Sequence, residues 1–228
     1  MFRYCKGWFV GAFCLAMGLA EEVVDYDLWE VTPFFVNNTS SSLGETLRND
    51  NIDYVGTYAL GVNVGRVLLH DVGGKPLDGV LTMGLLWHDE QGFQDNFLHH
   101  TVLFKGVWKE FPWSNHMRTL VEIGTGASFT WRISRAEQEN RSTDGQFRGS
   151  RNLLNYNEFS LGFHTGDLVK LTTGKELESL EKVWFMMGII HRSGAWGAWG
   201  KSRNPATGET EGVLGALNSY YFGIKTTF

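Results

Sequence analysis

The chain has 228 residues, with 20 basic against 25 acidic side chains, a net charge of −5 and two cysteines. That length suits one domain or one barrel with long loops, and the acidic balance disfavours a nucleic-acid partner. With 28 Gly, 16 Phe, 9 Trp and 7 Tyr but only 4 Pro, the composition suits strongly bent strands with aromatic girdles, although a soluble β-sandwich or lipocalin-like barrel can share it.

The first element is a processing signal over residues 1–20. Arg3 and Lys6 form its charged region, Trp8 to Met17 its apolar region, and Gly18-Leu19-Ala20 a small-x-small cleavage site. The apolar stretch is too short to span a bilayer as a helix. Cleavage after Ala20 and export of 21–228 are expected. Cys5 and Cys14 both lie in the leader, so the mature chain would have no disulfide, thiol nucleophile or thiolate metal site. The leader carries basic residues and no acidic ones, which makes the mature chain more acidic still. No later apolar run is long enough for a transmembrane helix.

Alternation and turn signals predict strands over 28–37, 54–69, 77–88, 98–110, 117–134, 152–166, 182–194 and 217–228. Ser40 to Arg48 reads as a short helix, because Ser42-Leu43-Gly44-Glu45 resembles a capping box. About eight strands is the smallest number that closes in a membrane, and an even count returns both termini to one side, the periplasm. The short connections 71–76 and 111–116 suit periplasmic turns, and the longer polar ones at 38–53, 135–151 and 195–216 suit external loops. The connection 167–181 is long for a periplasmic turn. The expected fold is all-β, an antiparallel up-and-down transmembrane β-barrel in the bacterial outer membrane.

The last strand carries most of that expectation. Phe228, Thr226, Ile224, Phe222 and Tyr220 share one face, and Thr227, Lys225, Gly223, Tyr221 and Ser219 share the other. An apolar-leaning face ending in a terminal aromatic is the pattern of a closing barrel strand. Asn218 has the outward parity of Phe228 and precedes it by ten residues, which is about 25 Å in height at a typical tilt.

In the strand before it, Phe185, Met187, Ile189, His191 and Ser193 share one face, and Trp184, Met186, Gly188, Ile190 and Arg192 share the other. An arginine on the lipid face costs about 2–4 kcal/mol at the midplane. Arg192 therefore belongs in the lumen, and His191 and Ser193 face outward near the height of Asn218. His and Ser two apart on one strand are close enough for a base and its nucleophile. Backbone N–H groups from Gly194 onward would serve an oxyanion. His191 and Ser193 also fit the polar interface band that every barrel has.

The strand ending His191-Arg192-Ser193-Gly194 and the ending Asn218-Ser219-Tyr220 to Phe228 resemble the PagL-type outer-membrane lipid A deacylases. The segments 121–128 and 153–160 look like that family's middle strands. The resemblance covers 117–228 and is loose outside the His-x-Ser strand. It implies an eight-stranded barrel that removes an ester-linked acyl chain from lipid A with a Ser-His-acid triad facing the outer leaflet. Ser193 would be the nucleophile and His191 the base. The family has a glutamate where this chain has Asn218, which can orient an imidazole but brings no charge. Glu209 and Glu211, in the preceding loop, are candidate substitutes, though solvated loop charges describe them better. Ser193-Gly194-Ala195-Trp196 keeps the family's following residues only in part.

Other constellations are weaker. His88-Asp89-Glu90 and His99-His100 flank one external loop, but adjacent strand histidines point oppositely and chelate poorly. Asn49-Asp50-Asn51 with Asp53 is similar to a second, calcium-dependent lipid A deacylase family, yet turn chemistry explains it better. Glu122 and Glu158 are mid-strand and suit lumen networks with Arg66, Arg118, Arg132 or Lys225.

The reading is an outer-membrane ester hydrolase using His191, Ser193 and Asn218 on lipid A or another outer-leaflet lipid, with no cofactor or metal and with homodimerisation left open. The alternative is a structural or adhesive barrel with a degenerate site. A channel ranks third, since about eight strands leave a lumen filled with side chains.

Overall fold

The computed structural model describes residues 28–49, 52–140, 150–194, 201–203, 208, 210–212 and 216–228. The expected leader, 1–20, lies outside the described residues. The barrel strands are β1 (Trp29–Thr39), β2 (Tyr54–Leu69), β3 (Leu77–Asp89), β4 (Phe97–Trp108), β5 (Thr119–Thr130), β6 (Leu153–His164), β7 (Val183–Ser193) and β8 (Ala216–Thr227). Each pairs antiparallel with its chain neighbour, and β1 pairs with β8, so the sheet closes into a barrel of eight strands. Trp29 and Phe228 exchange two backbone hydrogen bonds of 3.0 Å at the seam, which fixes both ends of the described chain at one rim.

Alternation builds the two faces. Along β4, Phe97, His99, Thr101, Leu103, Lys105 and Val107 are buried, while Leu98, His100, Val102 and Phe104 are exposed. The same period leaves Leu60, Val62, Val64, Leu81, Met83, Leu85, Ile123, Phe159, Leu161, Met187, Phe222 and Ile224 exposed around the wall. A continuous outward apolar band over an inward polar face is the reverse of a soluble barrel and matches one seated in a bilayer. No helix among the described residues is long and apolar enough to cross a membrane.

Buried ion pairs and packed side chains fill the lumen. Lys105 Nζ lies 2.6 Å from Glu158 and 3.4 Å from Glu122, and Lys225 Nζ pairs with Glu122 and lies 2.6 Å from Glu30. The Tyr221 hydroxyl donates to Glu158 at 3.2 Å. Of the arginines expected to serve these glutamates, Arg118 binds Asp167 and Glu181, Arg132 binds Asp95 and Arg66 stacks on Trp29. Their strand positions put them at the rims or outside, whereas Lys105 and Lys225 have inward parity. Higher up, buried Arg192 pairs with Glu137 and donates to Ser128 Oγ at 2.9 Å. Glu137 sits on α2 (Arg135–Asn140), whose Ala136 packs with Val55 and Leu217 at the mouth.

The capping box is present. Helix α1 (Leu43–Arg48) starts with Glu45 N–H donating to Ser42 Oγ and Ser42 N–H donating to Glu45 Oε2. Asn49 ends α1 in the left-handed region, φ 52°, which is turn chemistry as expected; Asp50 and Asn51 lie outside the described residues. The long connection after β6 is accounted for by α3 (Thr165–Thr173), which folds back at the rim that holds Trp29 and Phe228.

Candidate active site

The register places the three expected residues on one patch of the outer wall. Asn218 pairs with His191, and Ser193 pairs with Ala216 on one side and Asn155 on the other. Extending the row through Asn218 across the sheet gives Thr39, Asn218, His191, Asn157 and Thr125. All have outward parity, so polar side chains from β1, β8, β7, β6 and β5 form a belt across this side of the sheet. Arg192, between His191 and Ser193, points inward as expected.

His191 Nδ1 and Asn218 Oδ1 are 2.7 Å apart. Asn218 Nδ2 donates to the Ser41 carbonyl at 2.7 Å. A carbonyl only accepts, so the amide nitrogen faces Ser41 and the amide oxygen faces the imidazole. His191 must then donate from Nδ1, leaving Nε2 with the lone pair of a base. Asn218 is fully buried and His191 partly so, because the β1–β2 connection lies against the outer face here.

Ser193 shares the outward face, two residues from His191, which is about 6.7 Å along the strand. Ser193 is only 8% exposed, and among the described residues no hydrogen bond joins it to His191. Bonds of this kind are commonly long before substrate binds. Gly194 is buried beside it; Ala195, Trp196 and Glu209 lie outside the described residues. Of Glu211 only the backbone is described, in a hairpin of 201–203 with 210–212. Among the described residues no cluster of three or more metal-ligating side chains occurs. His88 and His99 instead face each other inside the lumen, with Nε2 to Nδ1 at 3.2 Å.

Sequence reasoning missed Asn155 and Asn157. Asn157 Nδ2 donates to Asn155 Oδ1 at 2.6 Å, and Asn155 Nδ2 donates to the Gly126 carbonyl at 3.0 Å. The available signal was their parity with Leu153, Phe159 and Leu161: two amides on an otherwise apolar outward face.

Below the belt runs an apolar groove of about 370 Å³. Two registered rows line it, Tyr220–Ile189–Phe159–Ile123 and Phe222–Met187–Leu161–Val121. The groove begins one row beneath His191 and Asn218, since Ile189 and Tyr220 are each two residues away on the same strands.

No protein-family model matches the chain, and no curated protein matches its sequence. Among solved structures, the N-terminal β-barrel domain of Pseudomonas aeruginosa OprF is similar at 10% identity and a TM-score of 0.40, covering 89% of this chain and 98% of that one. The barrel description rests on the strand pairing itself.

Proposed function

We propose that this barrel is an outer-membrane ester hydrolase that removes an acyl chain from lipid A, with Ser193 as nucleophile, His191 as base and Asn218 as the group that orients the imidazole. The observation that carries the reading is the 2.7 Å contact between His191 Nδ1 and Asn218 Oδ1, on the same outward face as Ser193 and directly above the apolar groove. An acyl chain lying in the groove, with its ester at the belt, would bring the carbonyl to Ser193.

In that step Ser193 Oγ bonds to the ester carbonyl carbon as its proton passes to His191 Nε2. The tetrahedral oxyanion collapses, the C–O bond to the lipid hydroxyl breaks, and that oxygen takes the proton from Nε2. Water, activated by the same nitrogen, then hydrolyses the acyl-serine and releases the fatty acid. The neutral Asn218 fixes the tautomer but adds no charge to stabilise the imidazolium, so a slower enzyme than one with a carboxylate partner is expected. The bilayer orientation follows from the same reading, with the chain ends on the periplasmic side and the belt at the outer leaflet.

The test is mass spectrometry of lipid A from membranes with and without the protein. Loss of one acyl chain, abolished by Ser193→Ala and by His191→Ala, is the expected result. Unchanged lipid A in a strain that makes a competent substrate would overturn it. A second reading, a structural or adhesive barrel that has lost the chemistry, draws on the amide at position 218 and the absence of a Ser193–His191 bond; unchanged lipid A would favour it.

A further inference from the structure

The connection from β1 to β2 does not simply turn over the rim. It runs as a strap along the outer wall, with α1 packed on β7 and β8, and it is fastened along its length. At its start, Ser40 N–H donates to the Asp53 carbonyl at 3.0 Å and Asp53 N–H donates to Ser41 Oγ at 2.9 Å. The next group, the Ser41 carbonyl, accepts from Asn218 Nδ2. The Ser42–Glu45 capping box then sets the entry of α1. At the far end the Tyr220 hydroxyl donates to the Thr46 carbonyl at 2.6 Å. Thr39, where β1 runs into the strap, donates to the Asn218 carbonyl at 3.0 Å.

An asparagine amide is nearly symmetric in shape, and its two ends differ only as acceptor and donor. Facing His191 alone, Asn218 could present either end. The oxygen would select protonated Nδ1 and a basic Nε2, whereas the NH2 group would select protonated Nε2 and leave no base towards the serine. A carboxylate, having two acceptor oxygens, would not face this choice. The amide therefore needs an outside acceptor to fix its sense, and among the described residues that acceptor is the Ser41 carbonyl.

We propose that the strap is the positioning element of the site: the Ser41 carbonyl, held in place by α1 and by Tyr220, fixes the Asn218 amide and thereby selects the His191 tautomer that can act as a base. Ser41 and Tyr220 are positioning residues, and this rests on the esterase reading only for its use in catalysis. Tyr220 also lines the groove, so one side chain links the strap to the surface on which an acyl chain would lie.

The test uses full-length protein labelled with 15N-histidine and folded in detergent micelles, with the His191 resonances identified by their loss in His191→Ala. Wild type should show protonated Nδ1 and bare Nε2. Tyr220→Phe removes the clasp and keeps the ring, and Ser42→Ala with Glu45→Ala removes the capping box away from the groove. Both should shift His191 towards protonated Nε2 in barrels that remain folded by circular dichroism. On an ester substrate kcat should fall about fivefold, with KM little changed. An unshifted tautomer in both folded variants, or protonated Nε2 in wild type, overturns the proposal. A tautomer that follows the strap in a barrel with no esterase activity upholds the positioning and sinks only the esterase reading.

Discussion

His191 and Asn218 face each other as registered partners across the β7–β8 ladder, with Nδ1 and Oδ1 at 2.7 Å. Registered partners on one sheet face hold their Cβ atoms about 5 Å apart, so strand pairing brings the two side chains together and leaves to the strap only which end of the amide faces the imidazole. Asn218→Ala should leave the barrel folded and lower ester hydrolysis by about tenfold or more, since the imidazole loses its orienting bond. Asn218→Asp keeps an acceptor for His191 but sets a carboxylate against the Ser41 carbonyl. It should retain more activity than Asn218→Ala, and hydrogen–deuterium exchange of residues 40–49 should rise. Activity in Asn218→Ala equal to wild type would remove Asn218 from the site.

Most of this arrangement is legible in the sequence because strand parity is an exact period. Once Arg192 is assigned to the lumen, His191 and Ser193 must face out, and the ten residues from Asn218 to Phe228 set the height. What was not legible depends on contacts that carry no residue pattern. The Ser41 acceptor is a backbone carbonyl, which any side chain at that position would supply. Lys105 as the partner of Glu158 requires the register of β4, β5 and β6, which sets Gly124 between them so that the two side chains meet over a position with none of its own. Asn155 and Asn157 have outward parity in the sequence, but parity alone does not say that their amides join each other and the Gly126 carbonyl.

If the groove receives an acyl chain, filling it should discriminate by chain length. Met187 stands outward in the lower lining row, beside Leu161 and Phe222. Met187→Trp should lower turnover of long-chain esters by about tenfold relative to short-chain ones, because only the long chain reaches that depth. The measurement is the ratio of rates on esters of increasing acyl length in detergent micelles. A ratio that stays at the wild-type value would remove the groove from substrate binding.

The lumen network should dominate stability. Lys225 is buried against Glu30 and Glu122, so Lys225→Met leaves two carboxylates facing a cation set that lacks one member. Breaking one side of a buried pair costs about 3–5 kcal/mol. Unfolding of the variant in urea, followed by tryptophan fluorescence and by heat-dependent gel mobility, should shift by that amount. The double variant Lys225→Met with Glu30→Gln should recover part of it, because one of the stranded charges is removed.

The turn after β6 is tied down by an acid that titrates outside the barrel. Asp167 accepts from the Arg118 backbone N–H at 2.8 Å, from Nε at 3.0 Å and from Nη2 at 2.9 Å. Burial alone would raise its pKa, but the Arg118 hydrogen bonds and charge outweigh burial and hold it at about 2, below its ordinary 3.8. A depressed acid adds stability that is fully present above the unfolded value and is lost as pH falls through the folded one. The contribution of Asp167 should therefore be intact at pH 5 and above and fade between about pH 4 and pH 2. Asp167→Asn should destabilise the barrel by about 1–2 kcal/mol at pH 7, through the lost charge at the first turn of α3 and the weakened bonds to Arg118. The difference between wild type and variant should shrink steadily as melts are taken down to pH 2. A difference that is constant across that range would mean that Asp167 acts through shape rather than charge.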